Sequence, residues 1–284
     1  MSTDGSAKRS NAVPAPLALA AWLAGLVMMG LAIQMASPLG VRPALMVAEI
    51  FLALPAILVL AAWRIPLARG LALDRPGPLA AGLALLTGAA LWAASLGLFE
   101  LQYSVWPPPA GYLDQFQMLH RALKPSGVLD GAVSVLAIAI APAACEEILF
   151  RGTLLPSFLR FFGWSVLPSF VRRFGAALAI VLSALLFGII HLDPTSGGAY
   201  TFYRVPFATV VGLGLGLLRV RSGSLTPCIL AHAMLNTITF VTVLVTAPGT
   251  EPETANVLQA AAFFLLGGAA SLFLLRLHAR APDA

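Results

Sequence analysis

Three short stretches set polar side chains at helical spacing inside an otherwise apolar chain. They read Ala141-Pro142-Ala143-Ala144-Cys145-Glu146-Glu147-Ile148-Leu149-Phe150-Arg151-Gly152, then Phe187-Gly188-Ile189-Ile190-His191, then His232-Ala233-Met234-Leu235-Asn236. A charged side chain at the centre of a membrane costs on the order of 3 kcal/mol. Such residues therefore ask for a chemical or structural reason. Glu147 and Arg151 stand four apart with the acid first, the favourable order for a helical ion pair, and pairing offsets part of the cost of burying both. Glu146 points roughly 100° away around the helix axis. Its neighbours three and four residues off are Pro142, Ala143, Leu149 and Phe150, none of them basic. Burial without a counter-charge makes a carboxylate a better proton acceptor, which suits a general base. Pro142 removes a backbone hydrogen bond one turn earlier, so a kink is expected beside Glu146. His232 and Asn236 share one helical face, with Cys228 a turn before them. His191 stands at a helix end before Asp193-Pro194-Thr195. A single His or Asn in a membrane helix is ordinary interhelical glue. Two glutamates, two histidines and an asparagine on three segments exceed what packing needs.

The elements that must position these groups follow from composition. The chain has 284 residues, 59% hydrophobic and only 10% charged. Soluble domains carry about a quarter charged residues, and disordered chains are polar and charged, so both classes are excluded. Apolar runs near 17–36, 44–63, 79–98, 129–158, 174–191, 200–220, 224–246 and 256–277 are each read as a helix across ~30 Å of hydrocarbon. The expected fold is an all-α polytopic membrane protein with about eight transmembrane helices and a site inside the bundle. Residues 1–16 read as a disordered cytoplasmic tail, and the first run is a retained helix rather than a signal peptide.

The net charge of +5 comes from basic residues scattered between apolar runs, the pattern of membrane orientation rather than nucleic-acid binding. With the N-terminus inside, Lys8, Arg9, Arg64, Arg69, Arg75, Arg160, Arg172, Arg173, Arg219, Arg221, Arg276 and Arg280 are internal. Only Arg42, Arg121, Lys124 and Arg204 are external. Both termini are therefore expected in the cytoplasm, in a cell (inner or plasma) membrane. The outer segment 99–128 holds Trp106-Pro107-Pro108-Pro109 and then Phe116, Leu119 and Leu123, a candidate interfacial helix. Gly212 and Gly216 form a small-xxx-small pair for close helix packing. Cys145 and Cys228 form no disulfide framework. No internal repeat supports a transporter of the inverted-repeat kind.

The three stretches resemble the CAAX protease and bacteriocin-processing (CPBP) family of intramembrane endopeptidases, which includes the Ras-converting CAAX endopeptidase. Its Glu-Glu-x-x-x-Arg, Phe-x-x-x-His and His-x-x-x-Asn signatures correspond here to Glu146–Arg151, Phe187–His191 and His232–Asn236, in that order. Residues 129–245 form a CPBP-like catalytic core under this resemblance. The region 17–128 supplies three helices and the outer loop, and 246–284 the last helix and a short tail. The resemblance implies hydrolysis of a peptide bond by a glutamate-activated water. Glu146 would be the base and His191 would position the water. His232 and Asn236 would stabilise the oxyanion, while Glu147 and Arg151 support the first signature. The implied substrate is a membrane-associated, lipidated or C-terminally tagged protein or peptide, with the bilayer as the other partner and no nucleic acid. No cofactor is required on this reading. The main rival is a zinc site built from Glu146, His191 and His232, although no His-Glu-x-x-His helix is present. The same residues would also suit a Cys228 or Cys145 nucleophile with His232 as base, a transport protein, or a non-catalytic immunity or scaffold protein.

Overall fold

Proline and glycine punctuate the helices as their backbone chemistry requires. Pro16, Pro78 and Pro206 sit in first turns, where a missing N–H leaves no bond unmade. Gly223 closes a helix at φ 69°, a left-handed cap that a side chain would strain. The computed structural model describes residues 11–108, 122–193, 197–245 and 256–278. Its long helices are α1 (Ala15–Ala36), α2 (Val41–Ala62), α3 (Pro78–Val105), α4 (Val128–Phe162), α5 (Gly175–Ile189), α6 (Val205–Ser222), α7 (Thr226–Val245) and α8 (Val257–His278). Among the described residues there is no strand.

Six apolar helical stretches are long enough to cross a membrane, while α5 and α7 hold shorter ones, Gly175–Ile189 and Thr226–Thr242. Each expected span thus has a helix, and the protein is an all-α, multi-pass membrane protein. Leu23, Val27 and Leu31 on α1, and Leu258, Leu265 and Leu272 on α8, are all more than half exposed, as lipid-facing rows are.

Small residues bring the helices together. Helix α1 packs on α2, α3 on α8, α5 on α6, and α7 on both α3 and α4. A Cβ at Gly88 would strike the Ala231 carbonyl, fixing how closely α3 approaches α7. The expected role of Gly212 and Gly216 is met, with Ala184 against the first and Ile180 against the second.

The loops sort to opposite ends. At one end, Arg160 donates to the Ala12 carbonyl at 2.7 Å, Ser224 Oγ and the Leu225 N–H both donate to Ala72, and Thr226 Oγ1 donates to Asp74. At the other, Arg42 pairs with Asp130 and Gln102 donates to the Tyr203 carbonyl at 2.7 Å. There, Trp106 also stacks on Tyr200. This separation is the one that eight alternating spans require.

Three local features differ from expectation. Helix α3 continues to Val105 instead of ending at 98, because Phe99 packs edge-on to Tyr203 and Phe207 and Gln102 is tied down. The outer segment is shorter accordingly. The interfacial reading of Phe116 and Leu119 lies outside the described residues, whereas Leu123 is buried. Around Pro142, where a kink is expected, π-turns at Leu136–Ile140 and Phe150–Leu154 bracket Ala141–Leu149. A proline that cannot donate shifts the hydrogen-bond register, and single π-turns recur at functional sites. Helix α5 has only 15 residues, about 22 Å at 1.5 Å per residue. It stops short of ~30 Å of hydrocarbon, so His191 enters a turn within membrane depth. Irregular backbone at such depth survives where protein or a cavity surrounds it.

Candidate active site

Helix α4 delivers two adjacent carboxylates to different surroundings. Glu147 and Arg151 are both fully buried and joined at 2.6 Å. Arg151 also donates to the Gly212 carbonyl at 3.0 Å, and its guanidinium lies 4.5 Å from the centre of the Phe187 ring. The same Glu147 oxygen accepts from His232 Nδ1 at 3.0 Å. Since an ionised carboxylate only accepts, Nδ1 carries the proton and Nε2 is left to face outward. The sequence treats Glu147–Arg151 as a structural pair; the structure extends it to a chain, Arg151–Glu147–His232, running from α4 to α7.

Glu146 is also buried, 7% exposed, and its Oε2 has no hydrogen-bond partner among the described residues. It lies 3.8 Å from His232 Nε2, beyond direct hydrogen bonding and within reach of a bridging group. Helix α4 itself offers Glu146 no base, as the spacing indicates; the neighbouring imidazole comes from α7.

A cavity of about 400 Å³ opens beside this pair, with His191, His232 and Asn236 in its wall. His191 Nδ1 donates to the Phe187 carbonyl at 2.9 Å. A carbonyl only accepts, so Nε2 of the neutral ring is an acceptor. Asn236 Nδ2 donates weakly to the Ala139 carbonyl, at 3.4 Å, within the first π-turn. Nδ2 carries a second hydrogen, and Asn236 lines the cavity. Glu146 does not line the cavity and meets the site through His232.

Phe187 organises the group. Its ring is 5.0 Å from that of His191, 5.7 Å from that of His232 and 5.1 Å from that of Phe150, and it is 1% exposed. The sequence places it in the second signature without assigning it this role. Glu49 on α2 is missed altogether. Its Oε2 is buried with no hydrogen-bond partner among the described residues, on a helix that packs against the Ala141–Leu149 segment of α4. The signal was available, since a carboxylate inside the second apolar run is as costly as one in the fourth.

The thiols stand apart. Cys228 is buried, with Sγ donating weakly to the carbonyls of Leu215 and Ser224 at 3.7 and 3.8 Å. Cys145 is half-buried and also free. Among the described residues, no three His, Cys, Asp or Glu side chains are arranged to hold a metal ion.

Residues 129–238 match the family model described as type II CAAX prenyl endopeptidase, Rce1-like. No curated protein and no solved structure matches the chain. The matched stretch contains all three signatures, the Arg151–Glu147–His232 chain and His191. The resemblance carried by those signatures is therefore borne out over residues 129–238, and the match supports an intramembrane protease activity in this multi-pass membrane protein.

Proposed function

We propose that the chain hydrolyses a peptide bond of a membrane-associated, lipidated or C-terminally tagged protein, using a water activated by Glu146. The contrast between neighbouring carboxylates carries this reading. Oε2 is unbonded in both among the described residues, but Glu147 Oε1 is committed to Arg151 and His232, while Glu146 has no arginine partner and lies 3.8 Å from His232 Nε2. Glu146 takes a proton from the water as its oxygen bonds to the carbonyl carbon. His191 Nε2 accepts the water's other hydrogen and aims it. The oxyanion meets the Asn236 amide, and His232 joins it only with a second proton taken up at Nε2 from solvent before the substrate binds, the imidazolium then resting on Glu147 as a triad histidine rests on its carboxylate. The proton held by Glu146 then passes to the departing amine as the C–N bond breaks.

No metal takes part in this mechanism. The rival zinc site would need Glu146, His191 and His232 to converge at about 2 Å on one point, and the Nδ1 hydrogen bonds of the two histidines, which leave both Nε2 atoms free, suit either chemistry. The test is turnover by purified full-length protein after chelation, with metal content measured. Retained cleavage is expected; loss restored by zinc moves the chemistry to the metal.

The same reading puts the chain in a cell membrane with both termini cytoplasmic, supported by the Lys and Arg bias of the loops. A thiol introduced as Ser104→Cys, at the exposed end of α3, should label from outside intact cells. Labelling only after permeabilisation reverses the orientation.

A further inference from the structure

The cavity occupies one end of the bundle. Helix α3 contributes Trp92, Ser95, Leu96 and Phe99, all in its second half, and α6 contributes Phe207, Ala208 and Val211, all in its first. Among the described residues, none before Trp92 on α3, after Val211 on α6 or before His232 on α7 lines it. These helices alternate in direction, so the lining residues share one end, that of the Arg42–Asp130 pair and the Gln102–Tyr203 bond. Arg204 and His191, either side of the α5–α6 connection, stand in the same wall. From Val205 to Val211 α6 rises about 9 Å, and from Val211 to Ser222 about 16 Å. The site is therefore reached more directly from this end.

The opposite end is closed. Beyond His232, Leu154 of α4, Leu215 and Leu218 of α6, and Leu225 and Cys228 of α7 have no exposed surface. The segment Leu71–Asp74 is strapped across them. Ala72 accepts from Ser224 Oγ and the Leu225 N–H, Asp74 accepts from Thr226 Oγ1, and Leu71 fills the space that a Cβ on Gly152 would need. Ala72 is held there at φ 50°, a left-handed conformation that persists only where the surroundings fix it. The loops of this closed end carry Arg64, Arg69, Arg75, Arg160, Arg172 and Arg173, the bias of a cytoplasmic side. We infer that the active site is loaded from the extracytoplasmic face, and that its substrate is a membrane-anchored protein whose scissile segment lies at or beyond the outer leaflet. A peptide backbone enters a membrane only where protein or water satisfies its polar groups, and the cavity offers that path at one end. This inference rests on the protease reading and on the orientation given with it, and it adds the side from which the substrate is met.

Access is read without catalysis by thiol labelling of the full chain in sealed membrane vesicles of known sidedness. In a Cys145→Ala, Cys228→Ala background, Ser95→Cys and Thr239→Cys place thiols in the cavity wall, and Arg69→Cys places one on the exposed closed end. A membrane-impermeant maleimide should label both cavity thiols in right-side-out vesicles and neither in inside-out vesicles, with Arg69→Cys giving the reverse. Any labelling of the cavity thiols from the inside-out face, or none from either face, overturns the inference. Labelling of Arg69→Cys from the same face as the cavity thiols overturns it as well. The same vesicles, carrying the unaltered chain, are then given a pool of charged, impermeant fluorogenic peptides. Right-side-out vesicles should cleave them, inside-out vesicles should not, and Glu146→Gln should abolish the signal. Cleavage by inside-out vesicles, or only after solubilisation, overturns the inference and leaves the protease reading intact. The expected labelling with no cleavage even in detergent retains the access route and sinks the protease reading.

Discussion

Among the described residues helix α4 forms two arginine–carboxylate ion pairs, and they differ in almost everything but chemistry. Near its start, Asp130 meets Arg42 of α2, with the side chains 29% and 21% exposed. Asp130 also accepts from the Ser126 N–H and hydroxyl. Near its middle, Glu147 meets Arg151 with both fully buried. At the membrane end, water stands in reserve for either charge. In the middle, Glu147 Oε1 accepts from both Arg151 and His232, while Glu147 Oε2 and Arg151 Nε stay unbonded among the described residues. A buried ion pair is weak evidence of net stability. Here it also fixes the tautomer and aim of an imidazole beside Glu146.

The sharpest break of this comparison removes one inner charge. Glu147→Gln should destabilise the protein by about 3–5 kcal/mol by leaving Arg151 uncompensated, and should lower turnover by releasing His232. Replacing both partners, Glu147→Leu with Arg151→Leu, should recover stability but not turnover, which separates the two duties of Glu147. Thermal unfolding in detergent together with cleavage assays reads both. A double variant as active as the parent would reduce the inner pair to packing. Between the inner and outer pairs in expected effect lies Asn236→Ala, which touches neither. Its kcat should fall by about 10²–10³ with little change in KM; a rise in KM alone would make Asn236 a binding residue. Asp130→Asn, the matching change at the outer pair, should barely move the thermal midpoint, since partly exposed pairs contribute little. An outer effect as large as the inner one would erase the distinction.

The eight helices were legible because hydropathy in a membrane is decided over some twenty residues at a time. The glycine contacts of Gly212 and Gly216 were legible for a similar reason, since small-residue spacing has few other uses. The length of α5 was not. Phe174 to His191 reads as one apolar run, yet the helix stops at Ile189, and His191 drops to the level of His232 instead of the far surface. The expectation of a kink at Pro142 identified where the helix is disturbed but not how, because a π-turn depends on which later N–H takes over the orphaned carbonyl. The signatures located Glu146, Glu147, Arg151, His191, His232 and Asn236. The sequence could not show that Glu147 is shared between two donors, since that contact spans 85 positions. Arg204 was counted only as a loop charge, because its place in a cavity is created by the α5–α6 connection.

The central claim is that Glu146, not its neighbour, activates the water. Single-turnover cleavage by folded Glu146→Gln, set against the unaltered protein at matched thermal stability, tests it most directly. The chemical step should slow by about 10²–10⁴ with substrate still bound, because the amide keeps the shape and loses the basicity. A Glu146→Gln protein that cleaves at the parent rate would contradict the mechanism and send the search for the base to Glu49 or His232.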